Sequence, residues 1–149
     1  MRGPTDGRLV VAYGDYECPF CAATDRRLAE LDLRHAVRHF PVRSKHPRAW
    51  PAACAAEAAA LQGAFWPMHD ALYAEQGRLE DPHLWARARS FGLDLERFDA
   101  DRRSEAVLSR VKADFMGGMR AGVATTPALF VEGKLLLGRP GEADLRALA

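Results

Sequence analysis

Apolar and polar positions alternate or repeat along this chain in a way that fixes most of its elements. "RLVVAYG", Arg8 to Gly14, is a short β-branched and aromatic run closed by Gly-Asp, which predicts a buried strand. From Cys18 to about Leu31 the pattern turns helical: Leu28 and Leu31 share a face, and Ala22, Ala23 and Ala29 favour helix. "LRHAVRHF" then reads at period two, with Leu33, Ala36-Val37 and Phe40 interleaved among Arg34, His35, Arg38 and His39. It predicts a second strand, limited by Pro41.

The middle of the chain is helical. "AWPAACAAEAAALQG" is Ala-rich and stops at Gly63, "FWPMHDALYAEQG" stops at Gly77, and "EDPHLWARARSFG" ends at Gly92, with Asp81 as the expected cap and Pro82 in the first turn. "DLERFDADRR" is a short helix. A longer one runs from about Ser104 to Ala121 on a stripe of Val107, Val111, Phe115 and Met119, with Gly117-Gly118 expected to weaken or bend it. "TPALFVEGKLLLG" predicts a hairpin around Glu132-Gly133, and Asp144 to Ala149 the start of a final helix. The order is βαβ, a helical block, then ββα. A single α/β domain over residues 1–149 is expected, with the helical block, about 46–121, as an insertion.

Composition narrows the function classes. A chain of 149 residues is long enough to bury a core without a metal staple. Its formal net charge of +1 provides no field toward nucleic acid, and Arg26-Arg27 and Arg102-Arg103 read as solvated helix faces. No apolar run is long enough for a membrane span, and the N-terminal stretch lacks an apolar leader, so a cytoplasmic location is expected; a leader removed before residue 1 would make it periplasmic or exported.

The stretch "CPFCAATDRRLAELDLRHAVRH" supports two incompatible chemistries. Cys18-x2-Cys21, thirteen residues, then His35-x3-His39 fits a Cys2His2 zinc template. In such a finger the histidines sit on a helix, whereas here they fall in a strand, where four residues span about 13 Å and cannot converge on one ion. The redox reading fits better. A cysteine at a helix N-terminus feels unpaired N–H groups that favour thiolate, Cys21 lies one turn on, and Pro19 suits the first turn because its missing N–H has no partner there. A purely structural disulfide closing so short a loop would remove little chain entropy. About a hundred residues later, Pro127 stands at the start of a core-like strand, a poor place for a trans proline, and a cis Thr126–Pro127 bond beside the cysteines would resolve this.

"YGDYECPFC", "RHFPV", "FWPMHDALY", "FGLDLERFDAD" and "TTPALFVEGK" resemble, in order and over nearly the whole length, the DsbA-like branch of thioredoxin-superfamily oxidoreductases. The resemblance implies a thioredoxin fold with a helical insertion and disulfide exchange with protein thiols and disulfides, supported by a redox recycling partner and no metal or organic cofactor. It implies Cys18 as the exposed nucleophile, Cys21 as the buried resolving thiol, and Thr126 and Pro127 as the loop that receives substrate backbone. Two departures stand out. Pro19-Phe20 replaces the Pro-His of the strongest oxidants, so the Phe20 side chain cannot donate to the Cys18 thiolate. Ala12 occupies the position, six residues before the nucleophile, where related proteins often place a buried carboxylate. Asp15 and Glu17 are the nearby substitutes, expected in a surface loop, with Glu17 raising the thiol's pKa.

The other candidates read as structural. Cys54 is expected to be a small buried hydrophobe, although a third redox thiol is the sharper alternative. His39 reads as a structural polar group, and His35, His46, His69 and His83 form no ligand grouping. Phe65, Trp66, Met68, Leu72 and Tyr73 make a stripe that is mostly core, with a minority able to line a groove for apolar substrate segments. A non-catalytic peptide-binding adaptor on the same fold is the rival from another class.

Overall fold

Four strands, β1 (Arg8–Gly14), β2 (Leu33–His39), β3 (Ala128–Val131) and β4 (Lys134–Leu135), form one sheet in the order β2-β1-β3-β4. The computed structural model describes residues 1–136 and 139–148. β1 pairs in parallel with β2, so that Ala12 faces Val37, and antiparallel with β3, so that Ala12 faces Leu129. The parallel pair requires a crossover, which α1 (Pro19–Ala29) provides. The antiparallel pair β3–β4 turns at Glu132 (φ 49°) and Gly133 (φ 83°), both left-handed as a tight two-residue hairpin demands. The Leu137-Gly138 part of the predicted hairpin, and Ala149 of the predicted last helix, lie outside the described residues.

Between β2 and β3 come α2 (Ala49–Ala60), α3 (Phe65–Ala74), α4 (Asp81–Ser90), α5 (Leu95–Arg102) and α6 (Glu105–Arg120); α7 (Glu142–Arg146) follows the sheet. α2 is buried nearly all round, its alanines and Cys54 packed with Met68, Leu72, Phe98 and Val111 in the largest apolar cluster. Side chains this small let the neighbouring helices approach closely. A second cluster joins Val10, Leu28, Leu33 and Leu129 to Leu145 and Leu148, and a third joins Phe40, Val123 and Ala128.

Several expectations need correction. The N-cap of α4 is Glu80, and Asp81 instead accepts from Arg48 Nη2 at 2.8 Å and Arg102 Nη1 at 3.3 Å. Arg102 is therefore buried, not solvated. The stripe of α6 holds at Val107 and Val111 but fails at Met119, which is 53% exposed. The buried row passes through Asp114 and Gly118 instead. α6 runs unbroken through Gly118 to Arg120, and a Cβ at Gly118 would lie 2.8 Å from Phe40 Cδ2 and 2.9 Å from Tyr13 Cε1, so its bare backbone is what allows α6 onto the sheet. On β2, His35 and His39 are buried on the face of Leu33 while Arg38 is exposed.

Candidate active site

β1 delivers the chain through Gly14 into the loop 15–18, and α1 begins there. Cys18 is the N-cap of α1 (φ −80°, ψ 116°), Pro19 occupies the first turn, and the Cys18 Sγ accepts from the Cys21 backbone N–H at 3.3 Å. The Thr126 carbonyl lies 3.8 Å from the same sulfur, and the Thr126–Pro127 peptide is cis. Both cysteines are free thiols. The structure thus brings Cys18, Cys21 and Thr126 together, with Pro127 and Cys21 lining one small cavity.

Cys18 is not the exposed thiol that the resemblance implies: it is 5% exposed, against 2% for Cys21. The exposed members of the motif are Pro19 and Phe20, the latter at 51% with the Arg139 guanidinium 3.6 Å from its ring centre. A cation over an aromatic face gains from the ring's quadrupole.

The two thiols are electrostatically unlike. A hydrogen bond from the Cys21 thiol is the largest cause holding Cys18 down to about 6; burial opposes it, and the backbone of Cys21 and Phe20, together with Thr126, adds to it. Burial drives Cys21 far above the ordinary thiol range, and the neighbouring Cys18 sulfur reinforces that. One sulfur is therefore a ready nucleophile at neutral pH and the other a protonated reserve. Cys54 belongs to neither state, since burial in the helical core pushes it up to about 11.

Asp15 is not in a surface loop. It is 1% exposed and accepts from Glu17 N–H at 2.8 Å, Val42 N–H at 2.8 Å and His46 Nδ1 at 2.9 Å. Glu17 is engaged with the Arg48 backbone N–H at 2.9 Å and is absent from the groups that set the Cys18 thiol. Gln76, which sequence reasoning passed over, donates to the carbonyls of Tyr16 at 2.8 Å and Cys18 at 2.9 Å. No pattern of apolar spacing marks such a residue, because its partners are backbone atoms distant in sequence.

The histidines do group, but around carboxylates. His69 Nε2 lies 2.8 Å from Asp25, His35 Nε2 lies 3.7 Å from the same oxygen, and His39 Nε2 lies 2.9 Å from Glu57. Among the described residues, the clusters able to offer three ligand atoms are Asp25-His69-Asp70 and His39-Glu57-Asp114; neither contains a cysteine, so the Cys2His2 template does not assemble. The expected aromatic stripe is core at Met68 and Leu72, while Phe65, Trp66 and Tyr73 are partly buried around His69.

A family model described as thioredoxin matches residues 3–148. Among solved structures, a thioredoxin-like oxidoreductase from Silicibacter pomeroyi DSS-3 superposes with a TM-score of 0.85 at 27% identity, over 99% of this chain and 87% of that one. The thiol-disulfide exchange protein alpha-DsbA2 from Wolbachia pipientis superposes with a TM-score of 0.83 at 20% identity, over 97% and 82% of the two chains. A curated relative, the Na(+)/H(+) antiporter NhaA of Herminiimonas arsenicoxydans, is 44% identical over 93% of this chain but only 23% of its own length. NhaA 1 of Mycolicibacterium gilvum is 43% identical over 99% of this chain and 26% of its own. The chain thus spans about a quarter of these relatives, and no helix among its described residues is long and apolar enough to cross a membrane.

Proposed function

Because the chain belongs to the thioredoxin family, we propose that it is a thiol–disulfide oxidoreductase acting on protein thiols and disulfides through the Cys18–Cys21 pair. The observation that carries this reading is the contrast between the two sulfurs: Cys18, at the helix N-terminus, is held down to about 6, and Cys21, one turn below it, stays protonated. In the reducing direction the Cys18 thiolate attacks a substrate disulfide, forms a mixed disulfide and releases one substrate thiol. Cys21 then attacks the Cys18 sulfur, releasing the second substrate thiol and leaving the enzyme disulfide. In the oxidising direction the steps run in reverse.

Thr126 and Pro127 receive the substrate's extended backbone, a role supported by the 3.8 Å separation between the Thr126 carbonyl and the nucleophile. The exposed Phe20 ring gives the site an apolar lip for a partly unfolded chain. A redox partner returns the pair to its working state.

The test compares wild-type protein with Cys18→Ser and Cys21→Ser in insulin reduction and in oxidation of a reduced, unfolded protein. Activity is lost in Cys18→Ser, and Cys21→Ser accumulates a mixed disulfide. A Cys18→Ser protein that binds peptides as before, alongside a wild type with no exchange activity, would identify an adaptor. Equilibration against glutathione buffers then sets the direction, because a potential near thioredoxin's marks a reductant and one near DsbA's an oxidant.

A further inference from the structure

The residues between the cysteines shape the turn and also face the arriving substrate. The Phe20 backbone helps to stabilise the Cys18 thiolate, while the Phe20 ring is turned outward and half exposed. One face of that ring carries the Arg139 guanidinium, 3.6 Å from the ring centre. A planar cation laid on an aromatic face is held by the ring's quadrupole and keeps the N–H donors along its edge free. The lip beside the nucleophile is therefore cationic as well as apolar.

Arg139 belongs to the segment between β4 and α7, which is fastened to α1: Glu142, in the first turn of α7, accepts from Arg27 Nε at 3.2 Å. The carboxylates closest to Arg139 in sequence are occupied, Glu142 by Arg27 and Arg146, and Asp144 by the Gly141 N–H at 2.8 Å. Arg139 itself is exposed and enters no ion pair among the described residues. Two other such stacks are committed to structure. Arg2 over Trp66 is bound to Asp70 at 2.9 Å, and Arg102 over Trp85 to Asp99 at 2.8 Å. Arg43 over Trp50 also lacks a carboxylate among the described residues, but neither residue belongs to the thiol motif. Arg139 is absent from the groups that set the Cys18 thiol, so its charge acts on what arrives and not on the nucleophile.

We propose that Arg139, held flat on Phe20, selects protein substrates in which acidic residues flank the reacting cysteine. The inference rests on the exchange function proposed above and names its substrate class. A chain drawn out along Thr126 and Pro127, with its sulfur at Cys18, passes the residues beside that sulfur over the exposed ring of the motif. A carboxylate there meets two parallel N–H donors of a guanidinium that is already oriented and has little freedom left to lose. A lysine or arginine in the same place meets a like charge and is turned away.

The experiment uses the reduced protein and short peptides with a single cysteine, each joined in a disulfide to a chromogenic aromatic thiol. Glu, Gln or Lys occupies the positions on either side of that cysteine. The Cys18 thiolate attacks the peptide sulfur, the bond between the peptide and the chromophore breaks, and the aromatic thiolate leaves as the readout. Each second-order rate is divided by that of 2-mercaptoethanol with the same peptide, which removes the peptide's own reactivity. The wild type is expected to favour Glu over Gln by roughly threefold and Glu over Lys by roughly tenfold at low salt, the scale of one exposed charge contact of each sign. The preference shrinks between about 20 mM and about 500 mM salt. In Arg139→Gln the ratio of Glu to Lys falls to within about twofold of one, and in Arg139→Glu the order reverses. Equal normalised rates for the three peptides in the wild type overturn the proposal. So does a preference that persists in Arg139→Gln or keeps its order in Arg139→Glu. If the wild type reacts with every peptide no faster than 2-mercaptoethanol does, the exchange function itself fails and this inference goes with it.

Discussion

Removing the Cys21 thiol isolates what makes Cys18 acidic. In Cys21→Ala the sulfur of Cys18 keeps its place at the start of α1 and its 3.3 Å contact with the backbone N–H of residue 21, but loses the thiol hydrogen bond that is the largest cause of its shift. A hydrogen bond to a charged group contributes roughly 1.5–3 kcal/mol, which at about 1.36 kcal/mol per pH unit is a change of roughly one to two units. The Cys18 midpoint is therefore expected to rise from about 6 to the range of about 7–8, short of the free-thiol value because the helix N-terminus remains. Thiolate ultraviolet absorbance against pH is the suitable assay. Cys54, pushed up to about 11, and Cys21, higher still, stay silent over that range. Alkylation rates at a single pH are a poor substitute, since a thiolate of higher pKa is intrinsically more nucleophilic and the gain offsets much of the lost ionisation. A midpoint unchanged at about 6 in Cys21→Ala would refute the assignment and place the whole effect on the helix backbone.

The adjacent glycines of α6 should respond with opposite signs in urea denaturation. Gly117→Ala, whose Cβ meets nothing within 4 Å, stabilises by up to about 1 kcal/mol, while Gly118→Ala, driven into Phe40 and Tyr13, destabilises by about 1–3 kcal/mol. Asp15→Asn turns an amide N–H toward donors that a carboxylate had satisfied and costs about 3 kcal/mol or more, whereas Asp32→Asn in the exposed turn before β2 stays within about 0.5 kcal/mol. The reduced protein gains stability as pH rises. The folded Cys18 thiol ionises at about 6 and the unfolded one near 8.5, so the unfolded state binds more protons between those values. The contribution, at most about 3.4 kcal/mol, is complete above pH ~8.5 and lost as pH falls through about 6; Cys18→Ser flattens that slope.

The elements were legible wherever one periodicity ruled. β1 spans Arg8–Gly14 as its apolar run predicts, and glycines with positive φ stand at positions 63 and 92, where two helices were expected to stop. Legibility failed where a polar side chain was buried with a partner remote in sequence. Period two in β2 puts His35 and His39 on the buried face with Leu33, and there His39 finds the Glu57 carboxylate at 2.9 Å, whereas His35 is buried with neither ring nitrogen hydrogen-bonded, 3.7 Å from Asp25. Asp81 looked like a cap because caps are local, whereas its partners Arg48 and Arg102 come from other helices. The chemistry at Cys18 and Cys21 was readable because spacing and helix position are both local. The grouping of Asp25 with His69 and His35 was not legible, because those partners come from α3 and β2.

The helical insertion does more than enlarge the core, because it supplies the groups that hold the thiol loop. Residues 15–18 emerge from β1 with no strand partner of their own. Gln76, beyond α3, binds the carbonyls of Tyr16 and Cys18; His46 and the Arg48 backbone, entering α2, engage Asp15 and Glu17. His69 and Tyr73 of α3 stand against Tyr16 with ring centres 5.4 and 4.8 Å away. The N-cap geometry of Cys18, and with it the acidity of its thiol, therefore depends on how α2 and α3 are seated against the sheet. Substitutions at this seam, Gln76→Ala first among them, should shift the Cys18 titration midpoint upward while leaving the sheet intact, whereas truncations of equal size on the α7 side of the sheet, such as Leu148→Ala, should lower stability without moving that midpoint.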